Sequence, residues 1–492
     1  MKKYIVTILI VATVFFGCSD DFLDKQPNGQ ISDSTFFKTS QDAILALTAV
    51  YDKVQHFRGP INGHASNAWD VIGLAWSHAS IEHPDLLSRY GVMRTGTVQS
   101  DQFEINWIWE QSYIGVRRAN EILINVPPIE MDEALKSRIL GEAYLLRAFF
   151  YYKMFEWWGG VPIVDQLIST QEETLIPRAS TEEMLAFIAG DLQEAESRLP
   201  QSYGAEDLGR VTEGTAKVLM AKVLLWQQNY SQALSKLQEV EGMGYGLVDD
   251  YASLFDGSNE NSSESVFEIQ FEPIAGKNEG SALSLFYAPN GEGFVPNGGW
   301  GLDRPLEDMV DEYEAGDSRL AASVFSLGDT FTKANGEVKT FVDQVNGTGF
   351  AIRKYVTDPP TGLTQAIDYG PQNWHEIRYA EVILMLAEAY LQNSQKDEAV
   401  DEINRLRART SVALPLLDSG TMSIADAWDA LIHEYRVEFA FEAHFGYALR
   451  RWNLHRQFYE EKGVPNQKNL MPIPQKQIDF SEGTLEQNPE YQ

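Results

Sequence analysis

The sequence predicts a mainly α protein, in which a scaffold of paired amphipathic helices is joined to a loop-rich portion with a few short strands. Three observations predict it. First, in residues 379–409 apolar side chains recur at helical spacing through Val382, Leu386, Ala389 and Tyr390. The pattern breaks at Asn393-Ser394-Gln395 and resumes through Ala399, Val400, Ile403 and Leu406, as in two helices joined by a short turn. Second, the pattern has an earlier echo in Ala221, Leu224 and Ala233, with Tyr230 at the aromatic turn position and Leu237 beyond it. Third, residues 56–102 and 242–373 are rich in Gly, Asn, Ser and Pro or Asp and show no sustained period.

Ala387 and Ala399 stand where two helix backbones must approach closely, and Tyr390 fills the gap beside them. A small residue, a tyrosine and a second small residue in this order follow the logic of a tetratricopeptide (TPR) unit. Two such units far apart in the chain describe a TPR-like scaffold interrupted by other material.

The remaining elements follow in order. Residues 40–54 form a first helix with Ala43, Leu47, Val50 and Tyr51 on one face. Residues 107–126 form a second. Residues 133–158 form a third and very aromatic one, stopped by Gly159-Gly160-Val161-Pro162. Residues 180–199 open on Ser180 with Glu183 three positions later, a capping box, and end before Pro200. The first TPR-like pair covers 212–240. Short alternating runs at 265–271 and 339–342 read as small strands. The loop 290–301, NGEGFVPNGGWG, lacks the strand–helix context of a nucleotide-binding turn. A helix from Ile424 to about Phe441, with a possible continuation to Trp452, precedes a mostly extended tail.

The first residues read as a targeting signal. Lys2 and Lys3 precede an apolar run from Tyr4 to Phe16, too short to span a bilayer as a helix. Gly17-Cys18 ends it. Cys18 is the single cysteine, which excludes an intrachain disulfide, and its place matches a bacterial lipoprotein processing site apart from the bulky Phe16. Acyl chains at about 0.8 kcal/mol per buried CH₂ would then anchor the protein. Ser19-Asp20-Asp21 is similar to a signal for export to the outer face of the outer membrane, and the polar segment to Ser40 reads as a tether. The expected organisation is a signal peptide at 1–17, a lipidated tether at 18–40, a helical part at 41–241 with a ligand loop at 56–102, a loop-rich insertion at 242–372, and a C-terminal TPR-like part at 373–492.

Composition narrows the function. With 39 Lys+Arg against 71 Asp+Glu, the 492 residues carry a net charge of −32. Such a surface repels nucleic acid phosphates and favours a neutral ligand over a polyanionic one. Catalytic signatures are missing. His64, His78 and His83 lack the i, i+4 helical spacing of a zinc protease, there is no HExxH or GxSxG, and no free thiol remains once Cys18 is acylated. Glu434, Arg436 and Glu438 alternate within a helix and read as an ion-pair network. No enzyme, cofactor or metal is expected.

Several stretches together resemble the SusD/RagB family. They are Tyr144 to Trp158 with Gly159-Gly160-Val161-Pro162, Gly209-Arg210-Val211-Thr212, Arg378-Tyr379-Ala380-Glu381, Glu434 to Trp452, and Met471-Pro472-Ile473-Pro474 with Gln487-Asn488-Pro489. They keep the family's order across nearly the whole mature chain. The resemblance implies about four TPR-like units and a non-enzymatic surface lipoprotein. Such a protein sits on a SusC-like TonB-dependent transporter of the outer membrane, captures oligosaccharide or in some members peptide, and acts as a lid. Its TPR-like side would meet the transporter and its irregular part would hold the ligand. One departure stands out. The family's Glu-Gly-x-Arg-x-x-Asp-Leu is here Glu442-Ala443-His444-Phe445-Gly446-Tyr447-Ala448-Leu449. The Arg and Asp are lost together, which implies a local repacking near Arg451 and Trp452.

A sugar presents C–H faces ringed by hydroxyls, so its binding needs exposed aromatic platforms with polar neighbours. Roughly 50–100 Å² of covered face per ring, at about 25 cal/mol per Å², gives about 1–2.5 kcal/mol, so two or three rings should act together. Trp107, Trp109, Trp157, Trp158, Trp226, Trp374, Trp428 and Trp452 lie on or beside predicted helices and read as core. Trp69, Trp76 and Trp300 lie in the irregular regions and are the expected platform, helped by Tyr287 or Phe294. Asn67, Asp70 and His78 are the expected hydrogen-bonding neighbours. Three functions of different class remain: a glycan-capturing lipoprotein, a binder of peptide or another nutrient on the same architecture, and a TPR scaffold that binds only proteins.

Overall fold

The computed structural model describes residues 36–55, 80–82, 91–274, 280–291, 293–295, 298–343, 347–357 and 370–492. Most of the scaffold is an array of helices in which each packs on the next. α1 (Ser40–Gln55), α2 (Phe103–Asn125), α3 (Glu133–Trp158), α4 (Thr181–Glu196), α5 (Glu213–Trp226) and α6 (Tyr230–Glu241) make up its first part. α7 (Tyr379–Gln392), α8 (Lys396–Arg407) and α9 (Ile424–Glu438) continue it, because α6 packs directly against α7. The two hairpins read from the sequence, α5–α6 and α7–α8, are therefore neighbours, and the intervening chain is an excursion from a continuous array. Ala221, Ala233, Ala387 and Ala399 are all fully buried at the helix contacts. Tyr390 reaches across the junction and accepts a hydrogen bond from Gln238 at 3.1 Å. The fold is mainly α, with TPR-like hairpins.

α3 is the central helix. Every residue from Leu145 to Trp158 is buried, a run of more than three turns that presents apolar groups on all sides. Asp132 caps its start by accepting from the Leu135 N–H. Its end is a clamp. Gly159 takes φ +70°, and a Cβ on Gly160 would lie 1.8 Å from the Ala179 carbonyl oxygen. The C-terminal tail docks there. The Met471 N–H donates to the Trp157 carbonyl at 2.7 Å, and the Trp158 indole donates to the Pro472 carbonyl at 3.0 Å. Asn488 donates to the Met471 carbonyl at 2.6 Å and accepts from Arg178 at 2.7 Å. The stretches GGVP, MPIP and QNP thus meet at one place and fix the end of α3. Ser180 and Glu183 form the expected capping box of α4.

The strands are short and pair two by two. β1 (Ser80–Glu82) lies antiparallel to β3 (Asp303–Pro305), and β2 (Ser265–Ile269) lies antiparallel to β8 (Trp374–Arg378). β4 (Val324–Ser326) pairs with β7 (Phe350–Ile352), and β5 (Thr330–Thr332) with β6 (Val338–Thr340). Three points depart from the sequence reading. Residues 242–373 contain short helices, Leu283–Tyr287, Glu307–Val310 and Ser318–Ser323. The tail contains Gln475–Phe480 as helix. The helix from Ile424 ends at Glu438, because Phe441 and Ala443 take φ of +63° and +65°, and a separate α10 (His444–Arg451) follows. No described helix is long and apolar enough to cross a membrane.

Around α9 the core holds a buried network of charge. Arg319 contacts Asp317, Glu434 and Glu438; Arg378 contacts Glu264, Glu438 and Glu442; Arg409 contacts Glu264 and Glu438; Lys354 contacts Glu442. Glu434 and Glu438 are thus members of a network, as the sequence predicts. Arg436 turns outward from it to Asp308 and Glu312. Where the family pattern is broken, Phe445 packs edge-on against Phe458 at 5.4 Å, and Arg451 pairs with Glu388.

Candidate functional site

The loop carrying Trp300 folds back on the helix Leu283–Tyr287. The Trp300 N–H donates to the Leu285 carbonyl at 2.8 Å, Leu302 to Phe286 at 2.9 Å, and Gly301 to Ala288 at 3.0 Å. Such a close return needs glycine, since a Cβ on Gly299 would lie 2.1 Å from the Ala288 carbonyl oxygen. The Asn290 side chain ties the loop by donating to the Trp300 carbonyl at 3.1 Å. The indole leans on Phe286, with ring centroids 5.4 Å apart and planes at 37°, and stays partly exposed. The backbone around this ring is thereby held in place, and the residue stays partly exposed.

Tyr287 and Phe294 differ from expectation. Both are fully buried. Phe294 packs edge-on against Phe325 at 5.3 Å and beside Phe331 at 6.0 Å, and Tyr287 closes the short helix from inside. They anchor the loop and offer no ring face to a ligand. Trp69, Trp76, Asn67, Asp70 and His78 lie outside the described residues, as does Cys18. The chain leaving that segment is placed, however. β1 sets Glu82 opposite Asp303 and Ser80 opposite Pro305, so the two irregular regions are joined by a strand pair that begins three residues after Trp300.

A second feature was not read from the sequence as a site. A cavity of about 720 Å³ opens between the C-terminal end of α1, the loop before α5 and the strand β2. Its wall mixes apolar side chains such as Phe271 and Ile274 with amides and carboxylates. Gln55 donates to the Gln270 carbonyl at 3.0 Å, and Asn261 and Gln270 exchange side-chain hydrogen bonds at 2.9 and 3.0 Å. Arg210 reaches Glu142 and Asp207, and Tyr51 donates to Glu142 at 2.7 Å. Burial raises the Glu142 carboxyl above its ordinary range despite the two nearby cations, Arg210 and Arg138. Glu260 and Glu268 also line the cavity. Burial and then the charge of Glu268 push Glu260 upward. Burial opposes ionisation of Glu268, yet His375, Ser265 and Asn373 hold its pKa down. The residues come from four distant segments, of which only Gly209-Arg210 belongs to a stretch that the sequence singles out as a motif.

Comparison with known proteins places this architecture. Residues 263–469 match the family model described as SusD family, and residues 21–225 match one described as starch-binding associating with outer membrane. A SusD-like protein of Formosa agariphila is 26% identical over 524 aligned positions that cover all of both chains. A solved SusD-like protein of Bacteroides fragilis shares the fold at a TM-score of 0.80 and 24% identity, over 94% of this chain and 100% of that one. A solved laminarin-binding SusD-like protein superposes at a TM-score of 0.79 and 25% identity, over 92% of this chain and 100% of that one. With two family models spanning both ends of the helical array and the fold shared throughout, the chain belongs to the SusD/RagB family.

Proposed function

We propose that this protein is a cell-surface glycan-binding lipoprotein that catalyses no reaction. It captures oligo- or polysaccharide and passes it to a SusC-like TonB-dependent outer-membrane transporter, over whose mouth it acts as a lid. The observation that carries this reading is the shared fold with the laminarin-binding relative along 92% of the chain. The partly exposed Trp300, braced by a glycine loop, supports it. In this reading Trp300 acts with Trp69 and Trp76 as the platform, and Asn67, Asp70 and His78 supply hydrogen bonds. The strand pair next to Trp300 is where the two regions are tied together. Residues 1–17 are removed as a signal peptide, Cys18 is acylated, and residues 18–40 tether the folded part to the outer membrane. The TPR-like array is the side turned to the transporter. The net charge of −32 favours a neutral glycan.

Native affinity electrophoresis tests the reading, with laminarin and a panel of neutral and acidic polysaccharides in the gel. Retardation by a neutral polysaccharide is expected. Unchanged mobility through the whole panel would move the ligand class to peptide or another nutrient.

A further inference from the structure

β2 and β8 place Glu268 and His375 directly opposite each other, and Glu260 comes in from the preceding loop to the same point. One ligand atom from each of the three lies within 4.8 Å of the other two. Side-chain rotation alone can gather such atoms around one ion, whose ligands sit about 3–4 Å apart. We propose that Glu260, Glu268 and His375 form a binding site for a first-row divalent transition metal ion, with Zn²⁺ the best match, beside the 720 Å³ cavity that Glu260 and Glu268 line and behind which His375 is buried.

Three observations carry the site. The first is unused hydrogen-bonding capacity. His375 is fully buried; its Nε2 pairs with Glu268 Oε1 at 3.1 Å, and its Nδ1 makes no hydrogen bond. Glu260 Oε2 is buried and has no hydrogen-bond partner either. A buried polar group left in this state is costly unless something else satisfies it.

The second is that no Arg or Lys reaches the trio. In the network around α9, each buried carboxylate touches an Arg or Lys. Glu260 and Glu268 contact no Arg or Lys among the described residues, so His375 is the only basic side chain there that the two carboxylates meet. The trio Glu314, His433 and Glu434 shows the contrast: there Arg407 already bridges both carboxylates, at 2.5 and 2.9 Å. A metal ion is therefore not assigned to that trio.

The third is an outer shell that orients the ligands. The Asn373 side chain donates to Glu268 Oε2 at 2.8 Å, and its N–H donates to Glu260 Oε1 at 3.1 Å. The Asn261 N–H donates to both oxygens of Glu268 at 3.0 Å. Ligating carboxylates held in this way are characteristic of metal sites. The donor set of one imidazole and two carboxylates favours Zn²⁺, Co²⁺ or Mn²⁺ over Ca²⁺ or Mg²⁺, which take oxygen ligands only. Three protein ligands leave a coordination position for water or for a hydroxyl of a molecule in the cavity.

The test uses the full chain purified in detergent and stripped with EDTA. Added Zn²⁺ should bind at one equivalent that survives gel filtration, read by elemental analysis, and should raise the Tm. Added Co²⁺ should give the visible absorption of a bound ion. Glu260→Gln, at the partly exposed member of the trio, should keep the metal-free Tm. It should weaken Zn²⁺ binding at least tenfold and abolish the Co²⁺ signal; His375→Gln is the second variant. Absence of bound metal and of any Tm shift with millimolar Zn²⁺, Co²⁺ or Mn²⁺ would overturn the proposal. So would Glu260→Gln binding Zn²⁺ as tightly as the unaltered protein, or retention of Ca²⁺ in preference to Zn²⁺.

Discussion

Arg378 and Glu438 meet in the core with no exposure to solvent, Nη1 lying 2.8 Å from Oε1. The same guanidinium reaches Glu264 at 2.7 Å and grips Glu442 through Nε and Nη2, both at 2.8 Å. All five donors of an Arg fork suit such a cluster, and a Lys could not span it. Arg378→Met keeps the approximate volume but leaves carboxylates buried with too little positive charge. It should lower stability by about 3–5 kcal/mol, the usual result of breaking a buried pair from one side. The midpoint of urea unfolding checks this. A shift within error would mean that Arg409 and Lys354 compensate.

The same network sets the response to acid. Burial opposes ionisation of Glu442, but Arg378 and Lys354 outweigh it and hold its pKa at about 2, below the ordinary 4.5. Glu438 and Glu381 are lowered as well, each against burial, by Arg409 and Lys222 respectively before their other partners. A depressed carboxyl contributes stability that is complete above pH 4.5 and is lost as pH falls towards 2. For Glu442 alone this is worth about 3 kcal/mol at neutral pH. Urea midpoints should therefore be flat across pH 5–7 from this source and drop steeply between pH 4.5 and pH 2.

Two glycines should respond to alanine in opposite directions. A methyl on Gly160 would meet the Ala179 carbonyl oxygen at 1.8 Å, in the clamp that ends α3. Backbone cannot yield cheaply there, so Gly160→Ala should cost about 1–3 kcal/mol or more. Gly190 stands inside α4 with nothing within 4 Å of an added Cβ. Gly190→Ala should stabilise by about 0.5–1 kcal/mol through helix propensity and the loss of unfolded-state freedom. Thermal unfolding of the two variants gives the sign of each.

The scaffold was legible because helices announce themselves locally. Ser180 and Glu183 mark the start of α4, Gly159-Gly160 marks the end of α3, and the alanines mark the hairpin contacts. β8 was not legible, since all five of its residues are buried and a strand covered on both faces shows no alternation. The break after Glu438 was hidden because Ala443 holds a left-handed position where glycine gives the usual signal. The motifs that carry the family resemblance turned out to be structural, building the α3 clamp and the charge network. They identify the fold and leave the ligand site unmarked. Glycine richness pointed correctly to an irregular loop around Trp300. It could not distinguish the partly exposed Trp300 from Phe294 and Tyr287, which are fully buried.

That distinction gives the last prediction. Trp300 is braced by backbone hydrogen bonds that its ring does not make, so Trp300→Ala should leave the loop in place. It loses the ring contact with Phe286. If the ring covers roughly 50–100 Å² of a sugar face, its removal should cost about 1–2.5 kcal/mol of binding, a loss of roughly 5- to 60-fold in affinity. Phe294→Ala should behave differently. It empties a site packed by Phe325 and Phe331 and should cost about 3–5 kcal/mol of stability. Affinity electrophoresis and thermal unfolding on the same two variants separate a platform from an anchor. Equal loss of stability in both would return Trp300 to the core and leave Trp69 and Trp76 as the remaining candidates for the platform.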